Sequence, residues 1–263
     1  MLSIHKSINY SKSLIVLGLA ALGLFILPNS AKALTLVERT GFTDTDFENL
    51  LRDGQFSELF VTEGRIGNNS LDTTERELGI NAAISPNANG ELTGGNPITS
   101  GEYVWGNNQS TNFTLEYTGS AINYTVGGQT LTSTALSGPV TDIFVRTFAS
   151  NNGNVALTNL TFDNEAFGSL SSSSINSSQD TDYIQLSNIS TPFTLTGQAS
   201  IGWTGTTPAR SQVAYQIKVG NSSSTRSVPE PGTVGAILLV TVAGIGYGRF
   251  VKRATIEIIK ENN

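Results

Sequence analysis

The chain has 263 residues, with 21 acidic and 15 basic side chains, no cysteine and one histidine, His5. Without thiols there is no disulfide framework and no thiolate metal centre. The basic residues gather at the two ends, so the stretch from Leu34 to Pro231 carries 19 acidic against eight basic side chains, a net of −11 that repels phosphate and excludes a nucleic-acid partner.

Residues 1–33 have the anatomy of a signal peptide. Lys6 and Lys12 precede an apolar run from Leu14 to Leu27, and Pro28 and Asn29 lead into the small-residue pattern Ala31, Lys32, Ala33. Cleavage is expected after Ala33, because the run falls short of the ~20 apolar residues that a permanent spanning helix needs. Cleavage also removes His5, which leaves the mature chain without imidazole and excludes Ser-His-Asp catalysis and His-ligated metals. No cofactor is expected.

Residues 34–220 form the extracellular domain. Asp44, Thr45 or Asp46 is positioned to cap a short helix carrying Phe47, Leu50 and Leu51 on one face, followed by a strand through Phe56, Leu59, Phe60 and Val61. From Asn112 the hydrophobic period is two: Phe113, Leu115 and Tyr117, then, after Gly119 and Ser120, Ile122, Tyr124 and Val126. Such a pair predicts an antiparallel hairpin. Further strands are predicted over 130–134, 142–148, 155–162, 183–186, 193–203 and 213–219, with a Ser-rich exposed loop over 168–182. Many short strands and little room for helix indicate an all-β fold, an antiparallel, jelly-roll-like β-sandwich, with an N-terminal signal helix and a C-terminal transmembrane helix.

Residues 221–228 are a Ser-rich linker, and the next segment, 229–253, changes character. From Gly232 to Val251 the only charge is Arg249, and these 20 residues reach about 30 Å as a helix, enough to cross a bilayer. Arg249, Lys252 and Arg253 then act as stop charges on the cytoplasmic side, with 254–263 as a short cytoplasmic tail. A C-terminal membrane helix follows.

The tripeptide Pro229, Glu230, Pro231, followed by that helix and its basic cluster, resembles the PEP-CTERM sorting signal. The resemblance implies export in a bacterium with a double-membrane envelope, initial anchorage in the inner membrane by the C-terminal helix, and processing by exosortase near the motif. The ten residues beyond Arg253 depart from the pattern, whose tails are usually shorter. The runs NFTLEYTGSAINYTVGGQTLT, DIFVRTFASNNGNVALTNLTFD and FTLTGQASIGWTGTTPARSQVAYQIKVG are similar to the choice-of-anchor domains, most closely type W, over roughly Phe60 to Gly220. That family implies a cell-surface location and brings no ligand, activity or catalytic residues.

Within the domain, Asp180 and Asp182 offer hard oxygen ligands at i and i+2, with Asn176 or Gln179 beside them, as a calcium candidate. No Asp-x-Asp-x-Asp-Gly pattern accompanies them, and a solvated loop is the simpler reading; Asp44 and Asp46 read more simply as helix-start residues. Glu102, Glu116, Asp142 and Asp163 are the carboxylates available for glycoside hydrolysis, which needs two of them across a cleft. Trp105 and Trp203, with Tyr103, Tyr117 and Tyr124, read either as core or as a sugar-stacking face. Arg146 and Arg210 interrupt apolar strands and read as outward positions, or as inward charges paired with Asp142 or Glu116. Asn-x-Ser/Thr triplets at Asn112, Asn123, Asn159 and Asn188 are expected from composition alone. The reading that follows is a non-catalytic surface or extracellular-matrix protein, acting in adhesion or with extracellular polysaccharide, and its alternative is a carbohydrate-binding, lectin-like module.

Overall fold

The computed structural model describes residues 34–71, 75–176 and 178–223. The elements run β1 (Thr35–Glu38), α1 (Asp44–Arg52), β2 (Phe56–Arg65), β3 (Leu78–Ala82), β4 (Ile84–Pro86), β5 (Leu92–Gly94), β6 (Pro97–Gly101), β7 (Gln109–Tyr117), β8 (Ile122–Val126), β9 (Gln129–Ser133), β10 (Asp142–Ser150), β11 (Gly153–Phe162), β12 (Glu165–Ser173), β13 (Gln179–Ser187), β14 (Phe193–Trp203) and β15 (Val213–Ser222). Every strand pairing is antiparallel. A seven-stranded sheet has the order β1-β13-β10-β15-β2-β3-β6 and a six-stranded sheet the order β12-β11-β14-β7-β8-β9, with β4-β5 as a separate hairpin.

Period-two alternation explains why the two large sheets meet. On β10, Ile143, Val145 and Ala149 join one core cluster while Phe144 and Arg146 point the other way; on β7, Phe113, Leu115 and Tyr117 do the same for the facing sheet. The interior is a single apolar layer between the sheets, crossed by ring contacts such as Phe60 on Tyr117, whose centroids lie 5.1 Å apart. Burying alternate residues of both inner faces is what drives the sheets together.

The predicted hairpin is β7-β8, with Leu115 opposite Tyr124. Two expectations need correction. The segment 168–182 is not a loop: most of it is the second half of β12 and the start of β13, and only a short turn lies between them. Ser-rich β12 forms because its backbone pairs along β11, with Leu157 opposite Leu170, and the exposed face of an edge strand tolerates serine. The helix is capped by Thr43 rather than by residues 44–46: the Thr43 side chain accepts from the Asp46 amide, and Asp46 accepts from the Thr43 amide at 2.8 Å.

The ends of the domain leave from one end of the sandwich. Thr35 pairs with Ser187, Ser187 with Asp142 and Asp142 with Gly220, so the first and last strands share one row of the sheet, about 14 Å apart at ~4.8 Å per strand. The 118–121 and 134–141 loops gather at that end, where Gly138 donates to the Gly119 carbonyl and Asn221 to the Pro139 carbonyl. The opposite end carries the connections β2–β3, β6–β7, β10–β11, β12–β13 and β14–β15.

Asparagines lock that distal end. Asn69 exchanges two hydrogen bonds with the Trp105 backbone, at 2.7 and 3.0 Å, and Asn107 exchanges two with Trp203, at 2.8 and 3.0 Å. Asn69, Asn108, Asn151, Asn152 and Asn176 all adopt positive φ, a conformation in which a short polar side chain is well suited. The fully buried Glu77 carboxylate accepts the amides of Asn68, Asn69 and Tyr103, tying the β2–β3 loop to the β6–β7 connection.

Candidate functional site

The outer face of the seven-stranded sheet is covered, and its chemistry follows from what covers it. The capping box fixes the entry of α1, and the helix lays Phe47 and Leu51 onto Phe56, Phe144 and Tyr183 in a second apolar cluster, with Ile84 and Leu92 of the β4-β5 hairpin packed against it. Phe144 meets Phe47 and Phe56 edge-on, at 5.3 and 5.0 Å between centroids.

Beside this cluster lies a cleft of about 320 Å³ between helix, hairpin and sheet. Its floor is Arg146 from β10, Tyr183 from β13, and Gln216 and Lys218 from β15; the helix contributes Asp44, Phe47, Glu48 and Leu51, and the hairpin Ile84, Leu92, Thr93 and Gly94. Arg146 donates through Nε to Asp44 Oδ1 at 2.6 Å and through Nη2 to Asp44 Oδ2, a two-pronged bond, and the Tyr183 hydroxyl donates to Asp44 Oδ1 at 2.7 Å. Burial alone would raise the Asp44 carboxyl; the bonds and charge of Arg146, with Tyr183, outweigh it and hold the group below its ordinary range. Burial likewise pushes the Tyr183 hydroxyl far above its ordinary value.

Lys218 is a nearly buried charge with one long contact. It is 5% exposed, its ion-pair partner Glu58 Oε1 stands at 3.6 Å, and its ammonium lies 4.6 Å from the centre of the Phe47 ring. Burial lowers its affinity for the proton, and the nearby Glu58 charge opposes that only in part. The second oxygen of Glu58 is held by the Ile84 amide at 2.8 Å, which anchors the hairpin to the sheet.

A second hollow, about 710 Å³, lies on the same face where the chain ends leave, and includes Arg39, Asp142, Gln185, Ser187 and Ser223. Its carboxylate is saturated: Asp142 accepts from Gln185, Ser187 and Thr141 side chains at 2.8, 2.6 and 2.6 Å, and from the Ser222 amide at 3.2 Å. That network joins β10, β13 and β15 and leaves the group no capacity for a ligand.

The residues singled out in the sequence fall as follows. Asp180 and Asp182 sit on β13, and Asp180 already accepts from the Ser173 amide at 2.7 Å. Burial, then the charge of Asp180, raises the Asp182 carboxyl, and no cluster of three metal-ligating side chains occurs among the described residues. Asp142 and Glu116 lie on different sheets, both facing away from the shared core, and Asp163 is in the β11–β12 turn, accepting from the Thr194 amide. Trp105, Tyr117 and Tyr124 are fully buried and pack the core; they present no face to a sugar. Arg146 does point outward, yet its partner is Asp44, not Asp142 or Glu116. Arg210 stands in the β14–β15 connection rather than in a strand. Asn159 occupies a bulge of β11, with φ of 52°. Ala31, Ala33, Pro229, Glu230, Pro231, Arg249, Lys252 and Arg253 lie outside the described residues. No helix among the described residues is long and apolar enough to cross a membrane.

Sequence reasoning missed the cleft. Lys218 and Gln216 alternate with Tyr215 and Ile217, which marks them as facing away from the core, and no local signal says that a helix from residues 44–52 returns to cover them. No protein-family model matches the chain, and no curated protein matches it.

Proposed function

We propose that the chain is an exported bacterial surface or extracellular-matrix protein, sorted by exosortase at Pro229, Glu230 and Pro231, that acts without catalysis in adhesion or in association with extracellular polysaccharide. The observation that carries this reading is the common exit of the two chain ends. Residues 34 and 223 lie at one end of the sandwich, so a leader cut after Ala33 and a C-terminal sorting helix would both lead from that end, and the locked loops of the other end would face away from the envelope. The nested pairing of β2 with β15, β7 with β14, β10 with β13 and β11 with β12 supports the jelly-roll form of the sandwich, an architecture widely used for display and binding domains.

Fractionation of the native host, with the intact mass of the recovered protein, tests the reading. Recovery in the envelope or medium without residues 1–33 and without the segment beyond Pro-Glu-Pro is expected. Recovery only from the cytoplasm would overturn the location, and retention of residues 232–253 in the surface fraction would overturn sorting by exosortase.

The lectin-like alternative loses the hairpin aromatics Tyr117 and Tyr124, which are core residues, but gains the cleft under α1 as a place where a small ligand fits.

A further inference from the structure

We propose that the cleft between α1, the β4-β5 hairpin and the outer sheet face is a binding slot for one neutral sugar residue, such as the terminal hexose of a glycan. The inference rests on the polysaccharide-associated reading above and gives it a site.

Charge selects the class of ligand. Each acid at the cleft already has its base: Asp44 holds Arg146, Glu48 holds Arg52 at 2.8 Å, and Glu58 stands 3.6 Å from Lys218. With the ion pairs balanced, no net positive charge remains to repay the desolvation of an anionic ligand, and a cationic ligand would confront the ammonium of Lys218. A hydroxyl group fits both halves of the problem. Its oxygen accepts from Lys218, whose ion-pair partner stands 3.6 Å away, and its hydrogen donates to the rim carboxylates of Asp44 or Glu48.

Unsatisfied polarity inside an otherwise packed face is the second observation. Lys218 and Glu58 meet only at 3.6 Å, which leaves Glu58 Oε1 buried without a hydrogen bond, and an ammonium held so loosely in an apolar setting gains from an acceptor supplied through the cleft. The remaining surface is apolar, from Phe47 and Leu51 of the helix and Ile84 and Leu92 of the hairpin, which matches the carbon-bound hydrogens on the face of a pyranose. A volume of about 320 Å³ lies at the small end of ligand pockets and accommodates a single ring.

Isothermal titration and saturation-transfer NMR on the full-length protein in detergent, with methyl glycosides of glucose, galactose and mannose and with glucuronate, decide the matter. At least one neutral glycoside is expected to bind with a dissociation constant on the order of 1 mM, as its few atoms allow, and glucuronate more weakly. Lys218→Met removes the donor and keeps the apolar stem; Thr93→Trp fills the mouth from an exposed position. Each should weaken binding at least tenfold with the thermal unfolding midpoint showing that the fold is retained. Tighter binding of glucuronate, no binding of any neutral glycoside, or binding that both variants leave unchanged would overturn the slot. A protein found at the envelope that binds no glycoside defeats the slot alone; one confined to the cytoplasm that binds glycosides defeats the surface reading alone.

Discussion

Tyr215 shows how a polar atom is kept in an apolar core. Its hydroxyl lies 2.7 Å from that of Tyr124 on the facing sheet, so each phenol satisfies the other where no water reaches. The ring has room only because its cross-strand neighbour is Gly64, where an added Cβ would stand 2.4 Å from the Tyr215 ring. Burial raises both phenols well above their ordinary value; for Tyr124 the neighbouring Tyr215 adds to it, and for Tyr215 the bond from Tyr124 opposes it only in part. Raised folded-state values mean that the stabilisation is complete below the unfolded value of about 10 and is lost as the pH climbs past it, because the unfolded chain then gives up protons that the folded chain retains. The unfolding free energy of the wild type, read from urea titrations, should therefore fall between about pH 9.5 and 11, by up to about 1.4 kcal/mol per tyrosine per pH unit above 10. The Tyr124→Phe, Tyr215→Phe double variant should show a shallower fall over the same range, although it starts lower at pH 7. Equal slopes for the two proteins would show that the pair does not carry the alkaline sensitivity.

Helix α1 is the element on which the cleft depends. It has nine residues, too few to be stable alone, so its cap and its contacts with the sheet hold it in place. Thr43→Ala removes the acceptor for the Asp46 amide and should cost about 1 kcal/mol in chemical unfolding; Thr43→Ser, which retains the oxygen, should cost only a few tenths. Hydrogen exchange at residues 46–49 should accelerate in the alanine variant and leave the β10 and β15 amides unchanged. At this scale the sequence was legible where hydrophobic period and pairing agreed: β7, β8, β10, β11, β14 and β15 follow directly from alternation. It was silent for β3 to β6, whose Gly79, buried Asn81, Pro86 and Pro97 conceal the period, and misleading for β12, whose strand form comes from its partner. The cleft was illegible for a different reason. Arg146 and Asp44 are 102 positions apart, and their bond exists only because the helix folds back on the sheet.

For the whole molecule, the nested strand pairing puts both ends of the described chain at one end of the sandwich. The long strands, such as the 11-residue β14, span roughly 30–35 Å at ~3.3 Å per residue, so the end with the chain exits and the end with the asparagine-locked loops are well separated. Exposed Ile175 marks the distal end and exposed Ser120, in the β7–β8 turn, the proximal one. Since the chain has no cysteine, a single introduced thiol reports one position without interference. With the uncleaved protein in vesicles carrying a headgroup quencher, a fluorophore on Ser120→Cys should be strongly quenched and one on Ile175→Cys left bright, because quenching by contact or energy transfer falls away over the height of the sandwich. The cleft opens on the flank of the sheet, between these two ends, so under the proposed anchorage a sugar slot there would stay accessible with the proximal loops toward the membrane. Equal quenching at both positions would mean that the sandwich lies on its side, and the flank carrying α1 would then compete with the bilayer for the same face.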